Sequence, residues 1–227
     1  LILISILLIS FLLGVWNIQS FEYVNSNKVY VNDIDTYVSE YIGSNIFLIK
    51  PKDIENDILS SNSYVKSVNI EKILPNKILV TVNEYIPKYV GYFSNRCVLF
   101  SIEGKELEEY CKDCENECLE HSNILNSIYI KSDTVLSSES KLIFLDEISS
   151  ISALLFEFGY DIKSVDISQG VTVIQDTFDH SFTFDITYDL DTQLSRLYLV
   201  GEKINAQEIN FSSVDLRFER PVMKLIY

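Results

Sequence analysis

Residues 1–16, LILISILLISFLLGVW, carry no charged side chain, and only Ser5, Ser10 and Gly14 interrupt the apolar run. Water is a poor solvent for such a segment, so its placement constrains everything that follows. As a helix it would extend about 24 Å, short of the roughly 30 Å hydrocarbon core of a bilayer. The sequence begins at Leu1 rather than at a Met, and the rest of a span is expected upstream. Trp16 stands where an interfacial aromatic belongs, followed by the polar Asn17 and Gln19. A cleaved signal peptide would need a small-x-small site after the apolar core, and none follows Leu13. A buried core helix would show a polar face, and this run shows none. The expectation is a single membrane anchor over residues 1–20 followed by one large soluble part.

That part is acidic. Lys and Arg number 18 against 33 Asp and Glu, a net charge of −15, which repels phosphate backbones and argues against nucleic acid as a partner. Gly and Pro are scarce (7 and 4) beside abundant Ile, Val, Tyr and Phe, so ordered, sheet-rich structure is favoured over disorder.

Residues 21–86 have a legible order. Lys28–Val31 reads as a short strand, and 33–41 as a helix with Ile34, Tyr37, Val38 and Tyr41 on one face. Gly43 stops that helix, 45–48 form a buried turn or strand, and Pro51 opens a second helix that runs through Leu59. Residues 64–72 and 77–83 alternate as two strands about a Pro75-Asn76 turn, with Ile78, Val80 and Val82 on one side. A three-stranded sheet with both helices on one face buries this strand-helix-helix-strand-strand pattern.

Three segments carry a resemblance: Gly43-Ser44-Asn45-Ile46-Phe47, then Tyr64-Val65-Lys66-Ser67-Val68, then Leu74-Pro75-Asn76-Lys77-Ile78-Leu79-Val80-Thr81-Val82-Asn83-Glu84 with Pro87 beyond. In this order and behind a membrane anchor, they resemble the POTRA domain of FtsQ/DivIB cell division proteins. Tyr85 departs from the family's usual Arg after the Glu. Val214-Asp215-Leu216-Arg217-Phe218 is similar to the family's closing V-D-L-R-F/Y strand.

In 87–227 the strands are expected at 89–93 and 98–102, closed by a Glu103-Gly104 turn, and at 163–167, 171–175, 182–188, 213–219 and 222–226. Helices are expected at 139–158 (inward Leu142, Leu145, Ile148, Ser152, Leu155, Phe156) and 192–205 (inward Leu194, Leu197, Tyr198, Ile204). The acidic stretch 106–140 reads as an insert that the resemblance does not explain. It holds Cys111, Cys114, Cys118 and His121, with Cys97 upstream. Thiolates and an imidazole at this spacing fit zinc. Four cysteines in an oxidising compartment fit two disulfides, the preferred reading, one tying Cys97 to the insert. Free thiols are the third possibility.

Asp176, Asp179 and His180 could imitate a general base and its orienter, although such a cluster between strands more often makes a polar turn. No nucleotide, hydrolase or metalloprotease fingerprint occurs. The expected fold is α+β: a transmembrane helix, a POTRA domain at 21–86, then a second sheet domain flanked by helices at 87–227. No catalysis and no cofactor are expected. The resemblance implies a cytoplasmic-membrane protein at the division septum, its globular part extracytoplasmic. It implies partners of the FtsB/FtsL coiled-coil type and a link to septal peptidoglycan synthesis. Partner contact is expected at Val214, Asp215, Leu216, Arg217 and Phe218 by strand addition to an exposed edge. The rival readings are a POTRA-bearing secretion or outer-membrane assembly factor, and an anchored metal or redox protein built on the cysteines.

Overall fold

The structure, a computed structural model, describes residues 14–24, 34–93, 95–112, 114–124, 127–133, 137–138, 141–142 and 144–226. The expected anchor falls mainly on 1–13 and the expected strand at Lys28–Val31 on 25–33, both outside the described residues. Among the described residues no helix is long and apolar enough to cross a membrane. The chain divides into two compact units, Leu1–Ile86 and Pro87–Tyr227.

The first unit contains β1 (Ser20–Val24), α1 (Ile34–Ser39), α2 (Pro51–Ser61), β2 (Val65–Ile73) and β3 (Lys77–Glu84). Its sheet has the order β1-β3-β2, with β1 parallel and β2 antiparallel to β3. The period-two pattern of β3 puts Ile78, Val80 and Val82 wholly inside. Against them pack Ile34 and Val38 of α1 and Ile54 and Ile58 of α2, each pair four residues apart and so on one helix face. Gly43 has φ +85°, the left-handed conformation that lets the chain leave α1. Pro51 opens α2, where its missing N–H costs nothing. The Tyr41 hydroxyl donates to the Asp57 carboxylate, and that hydrogen bond to an anion pushes its pKa up to about 12. The first described strand is β1, whose Phe21 and Tyr23 pack against the core.

The second unit contains β4 (Pro87–Phe93), β5 (Arg96–Ser101), β6 (Glu106–Lys112), α3 (Glu115–Ile124), β7 (Ile128–Ser132), β8 (Ser137–Ser138), β9 (Lys141–Leu142) and α4 (Leu145–Glu157). After these come β10 (Ile162–Ser168), β11 (Val171–Asp176), β12 (Ser181–Asp185), α5 (Leu190–Gln207), β13 (Phe211–Asp215) and β14 (Val222–Leu225). Among the described residues nine strands form one mixed sheet in the order β14-β13-β12-β11-β10-β7-β4-β5-β6. One core joins Phe93, Phe100, Ile130, Val165, Phe182, Phe184 and Val214 of the sheet to Ile148, Ile151 and Leu155 of α4 and Leu197 and Ile204 of α5. The alternate residues Val90, Cys97, Leu99 and Tyr129 are also buried, and the Cys118 sulfur of α3 lies 3.8 Å from the Gly91 carbonyl. Burial raises the pKa of the Tyr129 phenol, with the nearby Glu115 carboxylate adding to it.

The stretch 106–140, read as an insert, supplies β7, which lies inside the sheet, parallel to β4 on one side and to β10 on the other. Other expectations need correction. The helix expected at 139–158 begins at Leu145, because 141–142 pair with 137–138 as a short hairpin. Its inward face is Leu145, Ile148, Ile151 and Leu155, while Phe156 is 70% exposed. The turn at Gly104 (φ +76°) joins β5 to β6, and β4 reaches β5 through a turn at Asn95 (φ +61°). On α5, Leu197 and Ile204 face inward as expected, but Tyr198 is exposed. Gly201 takes a place on that inner face, because a Cβ there would stand 2.8 Å from the Phe158 ring.

Candidate partner-binding edge

The segment Val214–Phe218 straddles the end of β13 and the turn after it. Val214 and Leu216 are fully buried, so neither offers a surface to a partner, and both anchor the strand in the core. The three others are placed differently. Asp215 and Arg217 pair through the Arg217 Nε and Nη2 donors at 3.0 and 2.6 Å, and the Arg217 backbone N–H donates to the same carboxylate at 3.2 Å. The guanidinium holds the Asp215 carboxyl below its ordinary range, and the carboxylate raises the pKa of Arg217 in turn. Arg217 also lies 5.6 Å from the Phe218 ring centre, a cation–π distance. Phe218 itself is 53% exposed. Arg196 of α5 donates to the Leu216 carbonyl at 3.1 Å and ties this turn to the helix.

The outermost strand is β14, not β13. It pairs antiparallel with β13, Val222 opposite Asp215 and Met223 opposite Val214. Val222 is 58% exposed, and Leu225 and Ile226 are exposed as well. A strand with an outward backbone row and apolar side chains is a template for further pairing. Beside its end opens a cleft of about 400 Å³, lined by Tyr160, His180, Ile204, Asn205, Phe211 and Ile226 among others. The segment expected from sequence, Val214–Phe218, lies on the inner strand and the turn after it, with β14 outside it. The exposed apolar residues of this edge, Val222, Leu225 and Ile226, lie in the apolar stretch after Pro221.

The cysteines lie at the other end of the sheet. Cys97 is disulfide-bonded to Cys118 and Cys111 to Cys114, with Cα separations of 5.6 and 6.1 Å. Cys111, Cys114 and Glu117 bring ligand atoms within 4.8 Å of one another. Both sulfurs are bonded to each other, however, and a disulfide has no thiolate to give a metal. His121 stacks on Tyr110, ring centres 4.3 Å apart. The Asp176–His180 pair is a turn staple. The fully buried Asp176 carboxylate accepts from the Phe178 and His180 backbone N–H groups at 2.9 and 2.7 Å and lies 2.7 Å from His180 Nδ1. The His180 ring is stacked on Phe211 at 4.6 Å, and Asp179 stands exposed at the turn with φ +65°.

The family described as the FtsQ-type POTRA domain matches residues 18–85, the whole sheet and both helices of the first unit. The cell division protein DivIB of Clostridium botulinum is 36% identical over 98 residues, which cover 41% of this chain. The chain spans 36% of the length of that relative. Residues 18–85 thus form a POTRA domain of the FtsQ type, and over 98 residues the chain is similar to a DivIB cell division protein.

Proposed function

We propose that this chain is a non-catalytic scaffold of the bacterial division machinery. It is held in the cytoplasmic membrane by its N-terminal apolar run, with both folded units on the extracytoplasmic side. Its partners are small coiled-coil membrane proteins of the FtsB/FtsL type, which it holds at the septum near peptidoglycan synthesis. The observation that carries this reading is the β14 edge, with Val222, Leu225 and Ile226 exposed beside a cleft that can take a partner's side chain. A partner strand laid on β14 would gain main-chain hydrogen bonds from the edge and specificity from alternate side chains. Phe218 and the Asp215–Arg217 pair, at the turn leading into β14, would flank the added strand. Two disulfides among the described residues suit an oxidising compartment.

Co-purification tests the proposal. The full chain, extracted in detergent, is expressed with the extracytoplasmic segments of the host's FtsB-like and FtsL-like proteins. Ile18 is a core residue, so the chain should not be trimmed into the first unit. Retention by the wild type and loss with Val222→Asp and Leu225→Asp, at unchanged melting temperature, are the expected results. A folded wild type that retains neither partner removes the strand-addition reading.

A further inference from the structure

The first unit exposes apolar side chains at one end, and that end is where the apolar run of the sequence arrives. Leu48 is 77% and Phe47 54% exposed, and Ile42 and Leu74 are exposed with them. Solvated side chains of this size gathered at one end mark a contact surface. Backbone hydrogen bonds fasten each of their segments to residues 16–19. The Ile46 N–H donates to the Trp16 carbonyl at 2.8 Å, the Gly43 N–H to the Ile18 carbonyl at 2.9 Å, and the Gln19 N–H to the Asn76 carbonyl at 2.9 Å. The Trp16 and Phe47 rings lie 5.2 Å apart.

Trp16 stands three residues after Leu13, the end of the unbroken apolar stretch. Three residues of chain reach at most about 10 Å. The headgroup zone on each side of the hydrocarbon core is about 5–8 Å thick. If residues 1–13 enter a bilayer, the 42–48 loop and the Leu74 turn therefore stand in or beside its headgroup zone. The chemistry of the loop agrees. Aromatic side chains and Leu are the residues that settle at this boundary. Residues 41–52 carry two lysines and no acid, in a chain whose net charge is −15. The loop itself carries no carboxylate to repel phosphate headgroups, and the acids Glu40, Asp53 and Asp57 lie around Tyr41. At the tip, the Phe47 N–H donates to Asn45 Oδ1 and the Leu48 N–H to the Asn45 carbonyl, both at 3.0 Å, so entering a drier zone strands neither donor.

We infer that the 42–48 loop, with Trp16 and the Leu74 turn, is a lipid-contacting face that seats the POTRA unit on the bilayer at its own anchor. This rests on the anchored reading of the chain given above. Its consequence is orientation. The sheet of the first unit would rise from the membrane with Ser20, Ile73 and Lys77 near the lipid and Val24 and Glu84 away from it.

Trp16 is the sole tryptophan, which makes the test direct. The full chain is reconstituted into phosphatidylcholine vesicles whose acyl chains carry bromine, a contact quencher of indole emission. Wild type reports on Trp16. Trp16→Phe combined with Leu48→Trp reports on the loop, and Trp16→Phe with Leu59→Trp reports on the far end of α2. The proposal expects the position-48 reporter to lose as large a fraction of its emission as Trp16 does, and the position-59 reporter to lose none. Quenching of Trp16 without quenching at position 48 leaves the anchor standing and overturns the lipid face. Equal quenching at 48 and 59 also overturns it, because it reads as non-specific adsorption. No quenching at any position removes the anchor and the lipid face together. Both substituted leucines are exposed, and thermal melts of the three proteins confirm that each reporter sits on the same fold.

Discussion

β6 and β14 are the outermost strands of one sheet, and their side chains differ in kind. Along β6 stand Glu106, Glu108 and Glu109, and Arg96 of the neighbouring β5 bridges Glu106 at 3.0 Å and Glu109 at 2.6 Å. Its end carries Cys111, bonded to Cys114 just before α3, while the Cys97–Cys118 bond fixes α3 to β5. Charge and covalent closure at an edge are ways of discouraging a foreign strand. β14 has four residues, a single charge at Lys224, and exposed Val222 and Leu225. On the proposed reading, the unguarded apolar edge is the one that takes the partner. The largest expected effect breaks this contrast. Val222→Asp with Leu225→Asp should weaken partner binding by about 4 kcal/mol, roughly a thousandfold, if each side chain contributes as a central contact does. Glu106→Ala with Glu108→Ala on β6 should leave binding unchanged. Titration calorimetry with the partner segment measures both, and equal losses at the two edges would refute the assignment to β14.

How much of this was legible in the sequence depends on how local each signal is. The core of the first unit was legible because Ile78, Val80 and Val82 of β3 repeat every second residue and Gly43 and Pro51 mark helix ends within a few residues. The place of β7 was not. Its apolar core is only Ile128-Tyr129-Ile130, and its neighbours come from far along the chain in both directions, Tyr89 opposite Ile128 and Ser164 opposite Tyr129. A parallel strand with distant partners leaves no hairpin signature. Alternation separates the buried Val214 and Leu216 from Asp215 and Arg217, but Phe218 lies in the turn beyond β13, where alternation no longer governs, and is exposed. That β14 covers β13 is a fact of topology, which no periodicity within 211–226 can state. Disulfide pairing belongs to the same class. Cys97 and Cys111 lie opposite each other in the β5–β6 register, yet each bonds elsewhere.

The next effect tests whether the guarded edge is guarded by its cross-links. Cys97→Ala with Cys118→Ala opens a link between residues 21 apart in sequence and should lower stability by about 3 kcal/mol on chain-entropy grounds. Both sulfurs are buried, so small cavities add to the loss. Cys111→Ala with Cys114→Ala opens a link between residues 3 apart and should lower it by no more than about 2 kcal/mol. Urea unfolding of both double variants orders them. If the short link proves the more stabilising, the staple of this edge is Cys111–Cys114, and the buried bond is secondary.

The smallest effect sharpens the opposite edge, where no cross-link holds the turn between β13 and β14. There the Asp215–Arg217 pair stands in for one. Its side chains are 23% and 34% exposed, so solvent screens the pair and its contribution should stay below about 1 kcal/mol. The sign follows from the lowered pKa of Asp215. An unfolded Asp titrates near about 3.9, so the contribution is fully present above that range. It is lost as pH falls through the lower folded value, where the carboxylate takes up a proton and the guanidinium keeps its charge. The stability difference between wild type and Asp215→Asn should therefore be constant from neutral pH down to the ordinary carboxylate range and shrink below it. Because other carboxylates titrate in both proteins, the difference between the two melting curves isolates this pair. A difference that persists unchanged in acid would mean that Asp215 acts through neutral hydrogen bonds alone. In that case Phe218 is positioned by the Arg196 contact to the Leu216 carbonyl, and the weak ion pair is incidental to how this edge is presented.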